Sequence, residues 1–178
     1  MPSIVIAQIK MNEVLYSTSD DQIELKNFGT SSVDVSSWSF CSRFRYTQLS
    51  SMTIISGSLN ISPGGILALS GMSLDDSNAD LGLYTTGDFS SSSAMEDFVQ
   101  WGSSGQGRES VAVGKDIWTA GDFVSTVVSG NSIEYDGDGN SSSDWDDQPN
   151  PTIGSEEEVP IPTAIGSSTW GAIKRATR

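Results

Sequence analysis

The sequence predicts an all-β fold, and three observations carry the prediction. Over residues 21–40 apolar and polar side chains alternate: Ile23 and Leu25 stand among Gln22, Glu24 and Lys26, and Val33, Val35, Trp38 and Phe40 follow. A period of two marks a strand with one dry and one wet face. No long stretch carries the helical period, while Ser and Gly are abundant, which suits short strands joined by many turns. The chain has 178 residues, 36% of them apolar, enough for one domain with a sizeable core and some chain to spare.

In chain order, residues 3–9 (SIVIAQI) read as a continuous apolar strand that Asn12, Glu13 and Val14 can continue, and residues 17–21 as a polar turn. Strands over 22–28 and 33–40 are separated by turn formers from Asn27 to Ser32, so the pair is predicted as a hairpin. Trp38 is expected at the centre of its core, where truncation of an indole costs about 3–5 kcal/mol. Arg43-Phe44-Arg45-Tyr46 alternates charge and aromatic. It reads as an edge strand or long loop whose arginines guard against pairing with another chain; an aromatic–basic binding site is the functional alternative. Residues 52–55 form a strand. Residues 66–69 (ILAL) are wholly apolar and are expected in the middle of a sheet.

After an acidic loop over 71–80, residues 81–84 form a strand, and Ala94-Met95-Glu96 can make one helical turn. Residues 97–101 alternate, with Phe98 and Gln100 on one face and Val99 and Trp101 on the other. Residues 102–108 (GSSGQGR) are glycine-rich. A phosphate cradle needs a strand before the loop, a helix after it and usually Lys-Ser/Thr at its end. Residues 109–113 (ESVAV) read as β-like, so the segment is predicted as a hairpin loop. Residues 132–135 are expected to be the last strand.

The order I-E-L-K-N-x-G-x-x-x-V-D-V-S-S-W, from Ile23 to Trp38, resembles the start of a lamin-tail domain. Ile61-Ser62-Pro63-Gly64-Gly65 before the ILAL run, then Asp97-Phe98-Val99-Gln100-Trp101-Gly102, continue the likeness. Ser132-Ile133-Glu134-Tyr135, Asp144-Trp145 and Pro151-Thr152-Ile153-Gly154 complete it over residues 3–154. The resemblance implies an immunoglobulin-like β-sandwich, of a family found in nuclear lamins and widely in bacterial surface and secreted proteins. The sandwich is expected over 1–154; by composition, residues 155–168 read as an acidic and Pro-containing linker and 169–178 as a Trp-containing basic tail.

Formal charge is −14, and residues 1–154 hold all of that excess, with 20 Asp and Glu against 6 Lys and Arg. Such a surface repels phosphate backbones, so no nucleic-acid partner is expected and the chromatin role of lamin tails is not carried over. There is no His and only one Cys, Cys41. Ser-His and Cys-His nucleophile pairs, His-ligated zinc and an intrachain disulfide are therefore excluded, and no enzyme activity is expected. No apolar run approaches the roughly 20 residues that span a bilayer. No basic-then-apolar leader precedes Ile4; either the chain starts in the cytosol or a leader was removed and Met1 added.

One loop has cation chemistry. Counted from Asp136, oxygen-bearing side chains fall at positions 1, 3, 5, 9 and 12: Asp136, Asp138, Asn140, Asp144 and Asp147. That is the ligand order of an EF-hand calcium loop. Position 6 is Ser141 rather than Gly, position 12 is Asp147 rather than Glu, and the flanks are a strand and Pro149-Asn150-Pro151. The plain alternative is a polar turn. In the tail, Trp170, Ile173, Lys174 and Arg175 combine an aromatic, an aliphatic and cations. They are candidate contact residues for a protein partner or for self-association, since the tail is basic and the body acidic. The resulting reading is a non-catalytic binding, adhesion or assembly module of an extracellular or cell-surface protein. The alternative is a calcium-stabilised carbohydrate- or surface-binding module, with Trp118 and Tyr46 as its aromatic platform.

Overall fold

The computed structural model describes residues 9–155, and within them antiparallel sheets pack in a sandwich. The strands are β1 (Ile9–Leu15), β2 (Gln22–Asn27), β3 (Val33–Asp34), β4 (Ser39–Ser42), β5 (Arg45–Gln48) and β6 (Thr53–Gly57). They continue as β7 (Asn60–Ile61), β8 (Ile66–Ser70), β9 (Ala79–Tyr84), β10 (Met95–Trp101), β11 (Ser132–Tyr135) and β12 (Trp145–Gln148). One short helix, α1 (Glu109–Gly114), follows β10. A six-stranded sheet runs β12-β11-β1-β2-β8-β6, a four-stranded sheet β10-β9-β4-β5, and β3 pairs with β7 apart from both.

The dry face of β2 is as expected, with Ile23 and Leu25 buried in the core, but Glu24 on the expected wet face is buried as well. The all-apolar β8 lies inside the larger sheet, between β2 and β6. The expected opening hairpin is not formed. Strand β2 pairs with β1 and β8, whereas β4 belongs to the other sheet, against β5 and β9. Asn27 makes the break. Its side chain donates to the carbonyls of Ser31 and Ile61 and accepts from the Gly29 N–H, turning the chain out of the sheet before it can fold back. Trp38 is half-buried at the margin of the core. The centre is held by Trp101, stacked on Tyr16 with ring centroids 4.4 Å apart, both rings wholly buried.

Three further expectations are corrected. Met95 and Glu96 begin β10 instead of a helical turn. Residues 109–114 are helical, because Glu109 at the start of α1 accepts from the Gly105 and Gly121 N–H groups, both at 2.7 Å, and Asp80 accepts from the Arg108 N–H. This tertiary anchoring overrides the weak β preference of Val111 and Val113. The last strand is β12, not β11; only Trp145 of its four residues is buried, so its sequence carries little apolar signal.

After β12 the chain leaves one edge of the six-stranded sheet and crosses toward the opposite edge. Thr152 lies over Glu13 of β1, and Gly154 reaches Glu24 of β2 and Ser56 of β6. Residues 149–155 are thus a strap laid across the sheet.

Candidate functional site

The acidic loop joins β11 to β12. Its carboxylates are turned inward onto the loop itself. Asp136 accepts from the Asp138 N–H, Asp138 from the Gly139 N–H, and Asp144 from the N–H and hydroxyl of Ser141. Asp147 lies on β12, where it accepts from the Asn131 amide. Asn140 offers its Oδ1 to Lys10 Nζ at 3.0 Å, and the same ammonium donates to the Gly139 carbonyl at 3.3 Å. Lys10 is 5% exposed, lies 3.8 Å from Asp97 Oδ1 and stands over the Tyr135 ring. A cation of the protein's own thus occupies the heart of the loop. Among the described residues no group of three or more His, Cys, Asp or Glu side chains gathers as a metal cage. The five expected ligands are thus not gathered as one group in this arrangement.

A second cluster is better organised. Two of the three arginines of residues 9–155, Arg43 and Arg108, meet around Phe44 at one corner of the four-stranded sheet. Strand β4 turns into β5 through Arg43 and Phe44, which have φ of 47° and 62°. Two-residue hairpin turns with both central residues left-handed normally use Asn-Gly; here each residue costs about 1–2 kcal/mol. Asp80 accepts from the Arg43 N–H at 2.8 Å, and the Arg43 guanidinium pairs with Asp75. The turn thrusts the Phe44 ring out, 57% exposed. The Arg108 guanidinium lies 4.9 Å from the Phe44 centroid and 5.9 Å from that of Tyr46, whose hydroxyl accepts from Arg108 at 2.7 Å. Tyr46 in turn stacks on Phe89 at 4.0 Å. An open hollow of about 650 Å³ between Phe44 and Gly105-Gln106-Gly107 completes the corner.

The hollow is not a phosphate cradle. The N–H groups of Gly105, Gln106 and Arg108 are already bonded to Glu109, Gln100 and Asp80, and no Lys ends the loop. Trp118 does not join the surface. It is 4% exposed, packs edge-on against Phe98 and donates to the Asp122 carbonyl. Of the two expected platform residues, only Tyr46 faces solvent. Trp170, Ile173, Lys174 and Arg175 lie outside the described residues, as do residues 3–8 of the expected first strand.

Buried acid chemistry lies elsewhere, between the sheets and under the strap. Asp97 of β10 accepts the Met11 N–H at 2.8 Å, and burial pushes its carboxyl up to about 6 although Lys10 pulls it down. Glu13 and Glu24 are paired across β1 and β2 and are buried. Glu13 accepts from the Ser132 hydroxyl and from the N–H and hydroxyl of Thr152; Glu24 accepts from Asn12 and the Gly154 N–H. Burial raises the Glu24 carboxyl, and the Gly154 and Asn12 hydrogen bonds oppose it. Lys10 had one readable signal, a lone cation between Ile9 and Met11. Glu24 had none, since it sits at a position of β2 that reads as wet.

No protein-family model, curated protein or solved structure matches the chain. Among the described residues no helix is long and apolar enough to cross a membrane.

Proposed function

We propose that the chain is a non-catalytic binding or assembly module whose contact surface is the arginine–aromatic corner formed by Arg43, Phe44, Tyr46 and Arg108. The observation that carries this reading is the strained turn. A hairpin that holds Arg43 and Phe44 in the left-handed region gives up stability to present them, and backbone strain of this kind gathers at functional sites. The corner collects cations on a chain of net charge −14, and exposed arginine and aromatic side chains are the common anchors of protein interfaces. Its partner is an acidic protein segment, drawn in by charge and held by Phe44 and Tyr46. The resemblance to bacterial lamin-tail domains adds the expectation of a secreted or surface-displayed protein. The carbohydrate alternative retains Tyr46 alone of its platform.

Panning phage-displayed dodecapeptides on the full chain tests the reading, with Phe44→Ala and Tyr46→Ala variants as counter-selection. Acid-rich peptides should be enriched on the wild type, bind either variant at least about tenfold more weakly, and weaken further as salt rises. Enrichment that is equal on wild type and variants overturns it.

A further inference from the structure

We infer that residues 159–165 (VPIPTAI) of the same copy dock along the free edge of β6 and close the six-stranded sheet. Among the described residues β6 pairs only with β8, so its outer edge is open. That edge is apolar and unguarded: Ile54 and Ile55 are 44% and 43% exposed. Residues 46–74, which include β6, contain no Asp, Glu, Lys or Arg. Sheet proteins ordinarily blunt such an edge with charge, proline or a covering segment. The register shift between Ile54 and Ser56 supplies a bulge, but no charge is present.

The occupant is indicated by where the strap arrives. A Cβ placed on Gly154 would lie 3.2 Å from Ser56 Cβ and 3.6 Å from Ile55 Cγ2. The strap therefore delivers the chain to β6, beside a hollow of about 250 Å³ bounded by Ser56, Gly57, Ile61, Ile66 and Gly154. Residues 156–178 continue from that point. After Glu156-Glu157-Glu158 comes an uncharged segment with prolines at 160 and 162. Spaced two apart in an extended segment, their missing N–H groups fall on one side, and the N–H groups of Val159, Ile161 and Thr163 point to the other. Such a strand can pair with β6 on one edge and offers a broken ladder on its outer edge, the proline device that stops further pairing. Val159, Ile161 and Ile165 share a side-chain face that can extend the apolar cover over one of the exposed isoleucines of β6. Because residues 1–154 carry all of the net charge of −14, a second acidic copy is repelled where a tethered segment is not. This proposal rests on the β6 edge and stands or falls independently of the arginine–aromatic corner.

Hydrogen exchange on the full-length chain, wild type against Ile161→Asp, reads the contact. In the wild type the outward amides of β6 should exchange slowly at all protein concentrations. In Ile161→Asp they should exchange at least about tenfold faster, while β1 and β2 amides stay protected. Ile54→Asp, placed on the receiving edge, should give the same release. Equal β6 exchange in wild type and both variants overturns the proposal. Protection that grows with protein concentration also overturns it, by making a second copy the occupant.

Discussion

Asp97 offers the sharpest quantitative test of the core. Its carboxylate is buried between the sheets, bonded to the Met11 N–H and 3.8 Å from the Lys10 ammonium. Desolvation outweighs both partners and lifts it from the ordinary 3.8 to about 6. Between these values the folded protein binds a proton that the unfolded chain has released, so stability falls as pH rises through that window. The gain is fully present below about pH 4 and gone above about pH 6. The difference between the two values corresponds to about 3 kcal/mol. Burial raises Glu24, Asp21 and Asp80 as well, whereas hydrogen bonds lower Asp75 and Asp34, so the whole-protein profile sums opposing groups. The comparison with Asp97→Asn isolates one group, because Asn keeps an acceptor for the Met11 N–H and does not titrate. Urea unfolding at pH 4, 5, 6 and 7 should show the wild type losing about 3 kcal/mol relative to Asp97→Asn across the series. Parallel pH profiles for the two proteins would refute the burial argument.

Two other consequences follow from the same geometry. Lys10→Met leaves Asp97 buried without its cation and strips the Gly139 carbonyl and Asn140 of a donor. It should cost about 3–5 kcal/mol in urea unfolding, and millimolar Ca²⁺ should leave the wild-type melting temperature unchanged. A loss below about 1 kcal/mol, or a calcium-dependent rise in melting temperature, would show that Lys10 is not the cation of the loop. Replacing Arg43-Phe44 by Asn-Gly relieves two left-handed residues and should stabilise the fold by about 1 kcal/mol, while abolishing peptide capture at the corner. A lower melting temperature would show that the packing of Phe44 and Arg108 outweighs the turn strain.

Much of the scaffold was legible in the chain. The dry face of β2, the unbroken apolar run of β8 and the two faces of β10 are local patterns, and each survives in the sandwich. The charge balance and the absence of His are likewise properties of the sequence itself. The aromatic–basic alternation at 43–46 was readable as an edge, and β5 is one. What the tertiary structure alone decided is which strand meets which. Alternation states that a strand has a dry face but does not name its neighbour, so β2 and β4 could be read as a hairpin although Asn27 sends them into different sheets. The roles of the acids are the clearest case. EF-hand-like spacing counts oxygens along the chain, whereas coordination depends on what those oxygens already hold. Asp144 is occupied by Ser141, and Asn140 by Lys10 from a strand 130 residues away. Glu24 reads as solvent-facing until the strap crosses it. Patterns set by nearest neighbours can be read in one dimension, but a hydrogen bond between distant residues exists only once the chain has closed on itself.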